Sequence, residues 1–138
     1  MRCLGMDLGT KTLGLATSDK LGIIASPYKV LRYEDVNVLV DQVVKLIDEL
    51  HIEKLVLGYP KNMNNTLGEA VVRTNTFKKL LEDKTNMEIT LIDERLSTVE
   101  AENYLINEDM RRDKRKQIID AVAASVILDT YLRQNKGE

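Results

Sequence analysis

Carboxylates occur at three places in the sequence where a purely structural chain has little use for an acid. Asp7 ends one apolar run, Asp93 and Glu94 end another, and Asp120 lies within an apolar helical stripe. Mg²⁺ and Mn²⁺ prefer carboxylate oxygens, and clustered acids repel one another unless a cation lies among them. If folding brings these positions together, the expected chemistry is that of one or two divalent metal ions.

Asp7 follows the first apolar residues of the segment GMDLGTKTLGLATSD. If 2–8 form a strand, Asp7 shares a face with Gly5, because successive side chains alternate. Gly9 and Gly14 flank Asp7 across a predicted hairpin and leave room for a backbone or a ligand to approach. The alternative is that Asp7 only ends the strand, through an Asx-type turn with its own backbone.

Asp93 and Glu94 occur in the segment LIDERLST, at the end of a strand predicted over 87–93. The carboxyl ends of parallel strands gather at one edge of a sheet, which is the usual ligand-binding edge of α/β proteins. We therefore expect these acids to approach Asp7. The alternative is a surface ion pair between Glu94 and Arg95, worth ~0–1 kcal/mol.

Asp120 belongs to the apolar stripe of a helix predicted over 114–133. The stripe has the spacing of one helical face and consists of Asp120, Ala123, Ala124, Ile127, Leu128 and Tyr131. Because such a face packs on the core, and an unpaired buried carboxylate costs several kcal/mol, Asp120 needs a partner. Capping explains it poorly, since the helix begins well before it. A buried Arg or Lys is the alternative to a metal ion.

A basic run, RRDKRK over 111–116, precedes the helix that carries Asp120. Cations at a helix N-terminus oppose the helix dipole, so they bring the helix itself no stability. Two interpretations stay open: a solvated loop, or a contact with backbone phosphates beside the metal ions. The cations concerned are Arg111, Arg112, Lys114, Arg115 and Lys116.

Composition limits the remaining possibilities. The chain has 138 residues, 43% of them apolar, which predicts a single domain over 1–138. One Cys and one His exclude a disulfide framework and argue against a zinc site, so any metal must be held by oxygen. No apolar run approaches the ~20 residues that span a membrane, so we expect a soluble cytoplasmic protein without membrane contact. The net charge of −2 offers no global field for nucleic acid, so such binding needs a local patch.

The hydrophobic periodicity predicts the element order βββαβαβαα. The strands are expected over 2–8, 12–18, 22–31, 54–60 and 87–93, and the helices over 34–50, 66–83, 98–108 and 114–133. Short connections between the first three strands indicate antiparallel hairpins, whereas the continuous apolar run at 54–60 is typical of a buried parallel strand. The predicted fold class is therefore α/β, with a five-stranded mixed sheet and helices on both faces.

Four motifs in this order resemble the YqgF family, also called RuvX: MDLGTKTLGLATSD, LVLGYPKNM, LIDERLST and IIDAVAASVIL. The resemblance covers nearly the whole chain. It implies an RNase H-like fold with strand order 3-2-1-4-5 and a metal-dependent phosphodiesterase, either a Holliday junction resolvase or a pre-16S ribosomal RNA nuclease.

The resemblance also implies site residues by motif position. The acids are Asp7, Glu94 or its neighbour Asp93, and Asp120. Lys11 and Arg95 correspond to phosphate contacts. The related RuvC resolvases carry an acid at the end of the fourth strand, where this chain has Gly58-Tyr59-Pro60. The second acid must then come from the fifth strand.

The functional hypothesis is hydrolysis of phosphodiester bonds with Mg²⁺ or Mn²⁺, in processing of the 5′ end of precursor 16S rRNA during ribosome biogenesis. The alternatives are resolution of Holliday junctions in DNA recombination and repair, a nucleic-acid-binding module without catalysis, and a small ATPase-like phosphate binder. The expected partner is structured RNA or branched DNA, and the expected state is a monomer or weak homodimer.

Overall fold

The computed structural model of the protein describes residues 1–60, 68–93 and 112–134, and within the last range it describes side chains from Ile119 onward. Several predictions concern residues outside these ranges. They are Glu94, Arg95, Arg111, the start of the helix predicted at 66 and the helix predicted over 98–108.

The described residues form five strands and three helices. The strands are β1 (Cys3–Leu8), β2 (Thr12–Ser18), β3 (Ala25–Arg32), β4 (Lys54–Tyr59) and β5 (Ile89–Asp93). The helices are α1 (Val36–Glu49), α2 (Gly68–Thr85) and α3 (Arg112–Gln134). Within these ranges, no helix combines the length and apolar character needed to cross a membrane.

The strands make one mixed sheet in the order β3-β2-β1-β4-β5, which confirms the predicted topology. β1 pairs with β2, and β2 with β3, in antiparallel orientation. β1 pairs with β4, and β4 with β5, in parallel orientation. The carboxyl ends of β1, β4 and β5 therefore lie at one edge, together with the start of β2.

The starts of β3 and of the last helix differ from the predicted boundaries. β3 begins at Ala25 rather than at 22, because Asp19 closes a longer turn by accepting hydrogen bonds from the amides of Ile23 and Ile24 at 2.7 and 3.0 Å. Within this turn Gly22 has φ +70°, a conformation that suits glycine. The last helix begins at Arg112 rather than 114, so most of the basic run is helical and not a loop.

Large apolar side chains fill the space between one sheet face and the helices α1 and α2. The fully buried members are Leu4, Met6, Leu13, Leu15, Leu39, Leu55, Leu57, Phe77 and Leu81. They come from alternate strand positions and from one stripe of each helix. Burying each such side chain contributes roughly 1.5–3 kcal/mol, so this face supplies most of the hydrophobic stabilisation.

The other sheet face packs against α3 through smaller side chains. Its buried cluster comprises Cys3, Ala16, Val56, Ile92, Ala124, Ile127 and Leu128. A Cβ atom at Gly5 would lie 2.7 Å from Cβ of Leu128 and 2.9 Å from the carbonyl oxygen of Ala124. Since real Cβ atoms do not approach this closely, glycine at position 5 permits the helix backbone to lie directly on the sheet.

Candidate active site

Asp7 lies near the carboxyl end of β1, on the sheet face that α3 covers. Its cross-strand partner in β2 is Gly14, and it is half-buried. Gly5, two residues earlier on the same face, contacts the backbone of α3 at Ala124. The predicted orientation of Asp7, away from the large apolar core, is therefore confirmed.

Gly14 brings the backbone of α3 next to Asp7. A Cβ atom at this position would overlap the carbonyl group of Asp120 and lie 2.9 Å from the amide nitrogen of Ala121. The space that the sequence predicted beside Asp7 is therefore filled by the helix segment that carries Asp120. Asp7 lies about 4.5–5.5 Å from Gly14, as cross-strand partners in an antiparallel pair do, so Gly14 adjoins both Asp7 and the backbone of Asp120.

The side chain of Asp120 is held by a hydroxyl group. Thr12 Oγ1 donates a hydrogen bond to Asp120 Oδ2 over 2.6 Å, in partly buried surroundings. Asp120 takes part in no ion pair with the described Lys and Arg side chains. Among these residues, its observed partner is thus a neutral donor and not the buried cation that the sequence left as an alternative.

The acid at the end of β5 has the opposite orientation from Asp7. Asp93 is paired with Tyr59, whose hydroxyl accepts a hydrogen bond from Asn75 of α2. Asp93 therefore belongs to the face that packs on α1 and α2. Ile92 is buried in the cluster under α3 and belongs to the face of Asp7. β5 lies two strand spacings, about 9.6 Å, from β1.

The predicted cluster of three carboxylates extends beyond the described residues. In the parts of the chain that are described, no three His, Cys, Asp or Glu side chains form a group that could hold a metal ion. Two of the proposed acids, Asp7 and Asp120, both adjoin Gly14, whereas Glu94 lies outside the described ranges. The donors at this place are carboxylate and hydroxyl oxygens, a set that suits Mg²⁺ or Mn²⁺.

The turn between β1 and β2 is fixed by Tyr33. The Tyr33 hydroxyl donates to the carbonyl of Gly9 at 2.6 Å, and its amide donates to the carbonyl of Lys11 at 3.0 Å. Burial raises the pKa of the Tyr33 hydroxyl, which therefore stays protonated as a donor. The turn holds Lys11 exposed at the same edge of the sheet as Asp7.

The basic run lies at the start of α3. Four of its five cations, Arg112, Lys114, Arg115 and Lys116, fall within the first turns of the helix, and Arg111 lies outside the described residues. Asp120 follows on the same helix, so the run is close to Asp120 along the chain.

Two residues at the site were missed by sequence reasoning. Thr12 resembles an ordinary strand residue. Because side chains alternate along a strand, its position two residues before Gly14 places it on the face of Asp7. Arg32 is the cross-strand partner of Thr12 and is exposed at the end of β3. The sequence signal for Arg32 would have been its position directly after the edge strand predicted over 22–31.

Comparison with known proteins finds similarity over nearly the whole chain. The model of a family described as RuvX, Holliday junction resolvase, matches residues 1–134. A Geobacillus sp. (strain WCH70) protein named "Putative pre-16S rRNA nuclease" is 46% identical over 134 residues, covering 96% of this chain and 97% of that protein. A Bacillus subtilis protein of the same name is 45% identical over 134 residues, with the same coverage.

Solved structures with similar folds include two resolvases. RuvC of T. thermophilus, in complex with a Holliday junction substrate, aligns with a TM-score of 0.63 at 16% identity and covers 99% of this chain and 96% of its own. The fowlpox virus resolvase with Holliday junction DNA aligns with a TM-score of 0.57 at 11% identity, covering 97% of this chain and 98% of its own. At these identities the likeness concerns the fold, which is RNase H-like.

Proposed function

This chain belongs to the RuvX family, and we propose that it is a metal-dependent endonuclease that trims the 5′ end of precursor 16S rRNA. Its family and its named relatives are nucleases, which act on phosphodiester bonds as hydrolases. The single observation that carries the metal-dependent part is that Gly14 adjoins both Asp7, its cross-strand partner, and the backbone of Asp120. A fold needs no such juxtaposition of two acids for its own stability.

The residues that would hold the metal are Asp7, Asp120 and Glu94. Glu94 is a better candidate than Asp93, because Asp93 shares the sheet face of Tyr59 and α2, opposite to Asp7. One or two bound Mg²⁺ or Mn²⁺ ions supply an activated water and stabilise charge on the leaving oxygen.

Cations around this edge provide contacts for the nucleic-acid backbone. Lys11 and Arg32 are exposed beside the β1–β2 turn and Thr12, respectively. Arg95 and the basic run at the start of α3 are further candidates. Contacts of guanidinium and ammonium groups with phosphates position a nucleic acid and carry no sequence information. The run is formed by Arg111, Arg112, Lys114, Arg115 and Lys116.

Resolution of Holliday junctions is the second candidate function. The family description names it, and the similar folds include resolvases bound to junction DNA. The relatives with 45–46% identity carry the pre-16S rRNA name, which favours RNA as substrate. The carboxylate arrangement suits both substrates, so the test must include both.

The deciding experiment is a cleavage assay of purified protein on a 5′-extended precursor 16S rRNA fragment and on a four-way DNA junction, with and without Mn²⁺. We expect Mn²⁺-dependent cleavage of the RNA by the wild type. Asp120→Asn should reduce the rate of cleavage at least ~100-fold. Losing a hydrogen-bond partner of a metal ligand typically costs about 10–100-fold in activity, and losing the ligand itself should cost more. Asp129→Asn is the matched control, since Asp129 lies on the same helix but pairs with Arg133 at the surface.

Three results would contradict the proposal in different ways. Cleavage of the DNA junction but not of the RNA would identify branched DNA as the substrate. Salt-dependent binding of both nucleic acids without cleavage would indicate a binding module. Binding of ATP by the monomer, with neither nucleic acid bound, would indicate a phosphate-binding protein of another kind.

The basic run is tested separately by replacing its five cations with Gln. If they contact backbone phosphates, binding should weaken alike for all sequences, and the slope of log affinity against log salt should become shallower. An unchanged slope would leave the run as a solvated part of the helix.

A further inference from the structure

We propose that Thr12 is a positioning residue that sets the orientation of the Asp120 carboxylate for metal binding. The proposal rests on the proposed function, because it assumes that Asp120 is a metal ligand. Its basis is the hydrogen bond from Thr12 Oγ1 to Asp120 Oδ2, at 2.6 Å.

The chemical nature of the donor is the first argument. A Lys or Arg in this place would neutralise the charge of Asp120 and compete with any cation. A hydroxyl orients the carboxylate but leaves its full negative charge, and it occupies Oδ2 while Oδ1 remains for another partner. Donors that orient ligating carboxylates in this way are general features of metal sites.

The position of Thr12 in the fold is the second argument. Thr12 and Gly14 lie two residues apart on the same face of β2. Gly14 contacts the backbone of Asp120 and Thr12 holds its side chain. One short stretch of β2 therefore fixes Asp120 at two points.

The same stretch is connected to Asp7. The antiparallel pairing joins Asp7 to Gly14 and Leu8 to Leu13, and the Gly9 amide donates to the Thr12 carbonyl at 2.7 Å. Thr12 thus connects the carboxylate on α3 to the strand that carries Asp7 through a hydrogen-bonded hairpin. Loss of the hydroxyl should leave Asp120 in place but let its carboxylate rotate, which lowers metal affinity.

The experiment measures Mn²⁺ affinity by isothermal titration calorimetry, without any nucleic acid. Thr12→Val removes the hydroxyl and keeps the branched shape, and Thr12→Ser keeps the hydroxyl. We expect 10–100-fold weaker binding for Thr12→Val and near wild-type binding for Thr12→Ser. Thr12→Ala tests the same loss if the valine variant does not fold.

Thr17→Val is the matched control. Thr17 lies on the same strand, is half-buried, and pairs with Leu4 on the apolar side of the sheet. The Thr17→Val variant should bind Mn²⁺ with wild-type affinity. Urea unfolding of each metal-free variant then separates a change of affinity from a change of stability.

The inference and the proposed function fail differently. If Asp120→Asn abolishes Mn²⁺ binding while both Thr12→Val and Thr12→Ala bind like the wild type, Thr12 has no positioning role and the metal site stands. If Thr12→Ser is as weak as Thr12→Val, the effect is not that of the hydroxyl, and the inference is also wrong. If the wild type does not bind Mn²⁺, or binds it no better than Asp120→Asn, both proposals are overturned.

Discussion

The two faces of the sheet use the same strands for different purposes. On the side of α1 and α2, alternate positions carry Leu and Met, and Phe77 of α2 is fully buried among them. On the side of α3, the intervening positions include Gly5, Gly14 and Ala16, so the helix backbone approaches the sheet closely. Large side chains maximise the buried apolar area, whereas small ones permit a fixed geometry between backbones. We infer that the first face mainly supplies stability and the second mainly holds polar groups in place.

The strongest test of this division is Phe77→Ala. The substitution should lower the free energy of unfolding by about 3–5 kcal/mol, because it removes a large side chain and leaves a cavity. The fraction that remains folded should bind Mn²⁺ with wild-type affinity. Urea unfolding and calorimetry measure the two quantities.

Val72→Ala is the control on the same helix, since Val72 is 65% exposed. It should change stability by no more than ~0.5 kcal/mol. Loss of Mn²⁺ affinity in folded Phe77→Ala would mean that the apolar face also shapes the site, and the division would not hold.

Metal addition tests the α3 face alone. If carboxylates meet there, Mn²⁺ at 100 times its dissociation constant should stabilise the fold by about 2.7 kcal/mol, and K⁺ at equal ionic strength should have a much smaller effect. Melting temperature is the measurement.

Asp120→Asn should lose this metal response. In metal-free buffer it should unfold at no lower urea concentration than the wild type, because carboxylate repulsion is relieved and the amide oxygen can still accept from Thr12. Marked destabilisation of the metal-free variant with cleavage retained would make Asp120 a structural residue.

Gly14→Ala examines the close approach of the helix. The added methyl group would overlap the Asp120 carbonyl, so α3 must move, at a cost of roughly 1–3 kcal/mol. Mn²⁺ affinity should fall together with stability. Both are measured on the same sample, by urea unfolding and calorimetry.

Gly68→Ala is the matched control, because a Cβ there meets no atom of the described residues within 4 Å. As Gly68 begins α2, alanine should be neutral or stabilise the helix by up to about 1 kcal/mol. If the two glycine variants have the same free energy of unfolding and the same Mn²⁺ affinity, the packing argument for Gly14 is wrong.

The smallest effect is expected at the Asp19 turn, which connects β2 to β3. Hydrogen bonds from the amides of Ile24 and Ile23 lower the pKa of Asp19. A carboxyl whose pKa is lower in the folded state stabilises the fold above its unfolded pKa, and this contribution is lost as the pH falls through the folded pKa. Asp19→Asn should therefore flatten the acid limb of a stability–pH curve slightly, while Mn²⁺ affinity at pH 7 stays unchanged. If the acid limb of Asp19→Asn is identical to that of the wild type, the Asp19 carboxylate does not contribute to the pH dependence of stability.

Much of the fold could be predicted from local patterns. Alternation in β1 placed Asp7 away from Leu4, and the helical stripe placed Asp120 toward the sheet, because both periodicities depend only on backbone geometry. The five described strands and three described helices lie close to their predicted positions. The boundary of β3 was less accurate, since the side-chain hydrogen bonds of Asp19 determine where that strand begins.

The sequence by itself determined the family, the order of the elements, and the faces on which Asp7 and Asp120 lie. Only the tertiary structure decided which groups meet. Thr12 and Asp120 are separated by 108 residues, so no local pattern indicates their hydrogen bond. The register of β5 on β4 likewise places Asp93 with Tyr59. Such contacts depend on how strands pair and how closely a helix approaches them, and packing of the whole domain sets both.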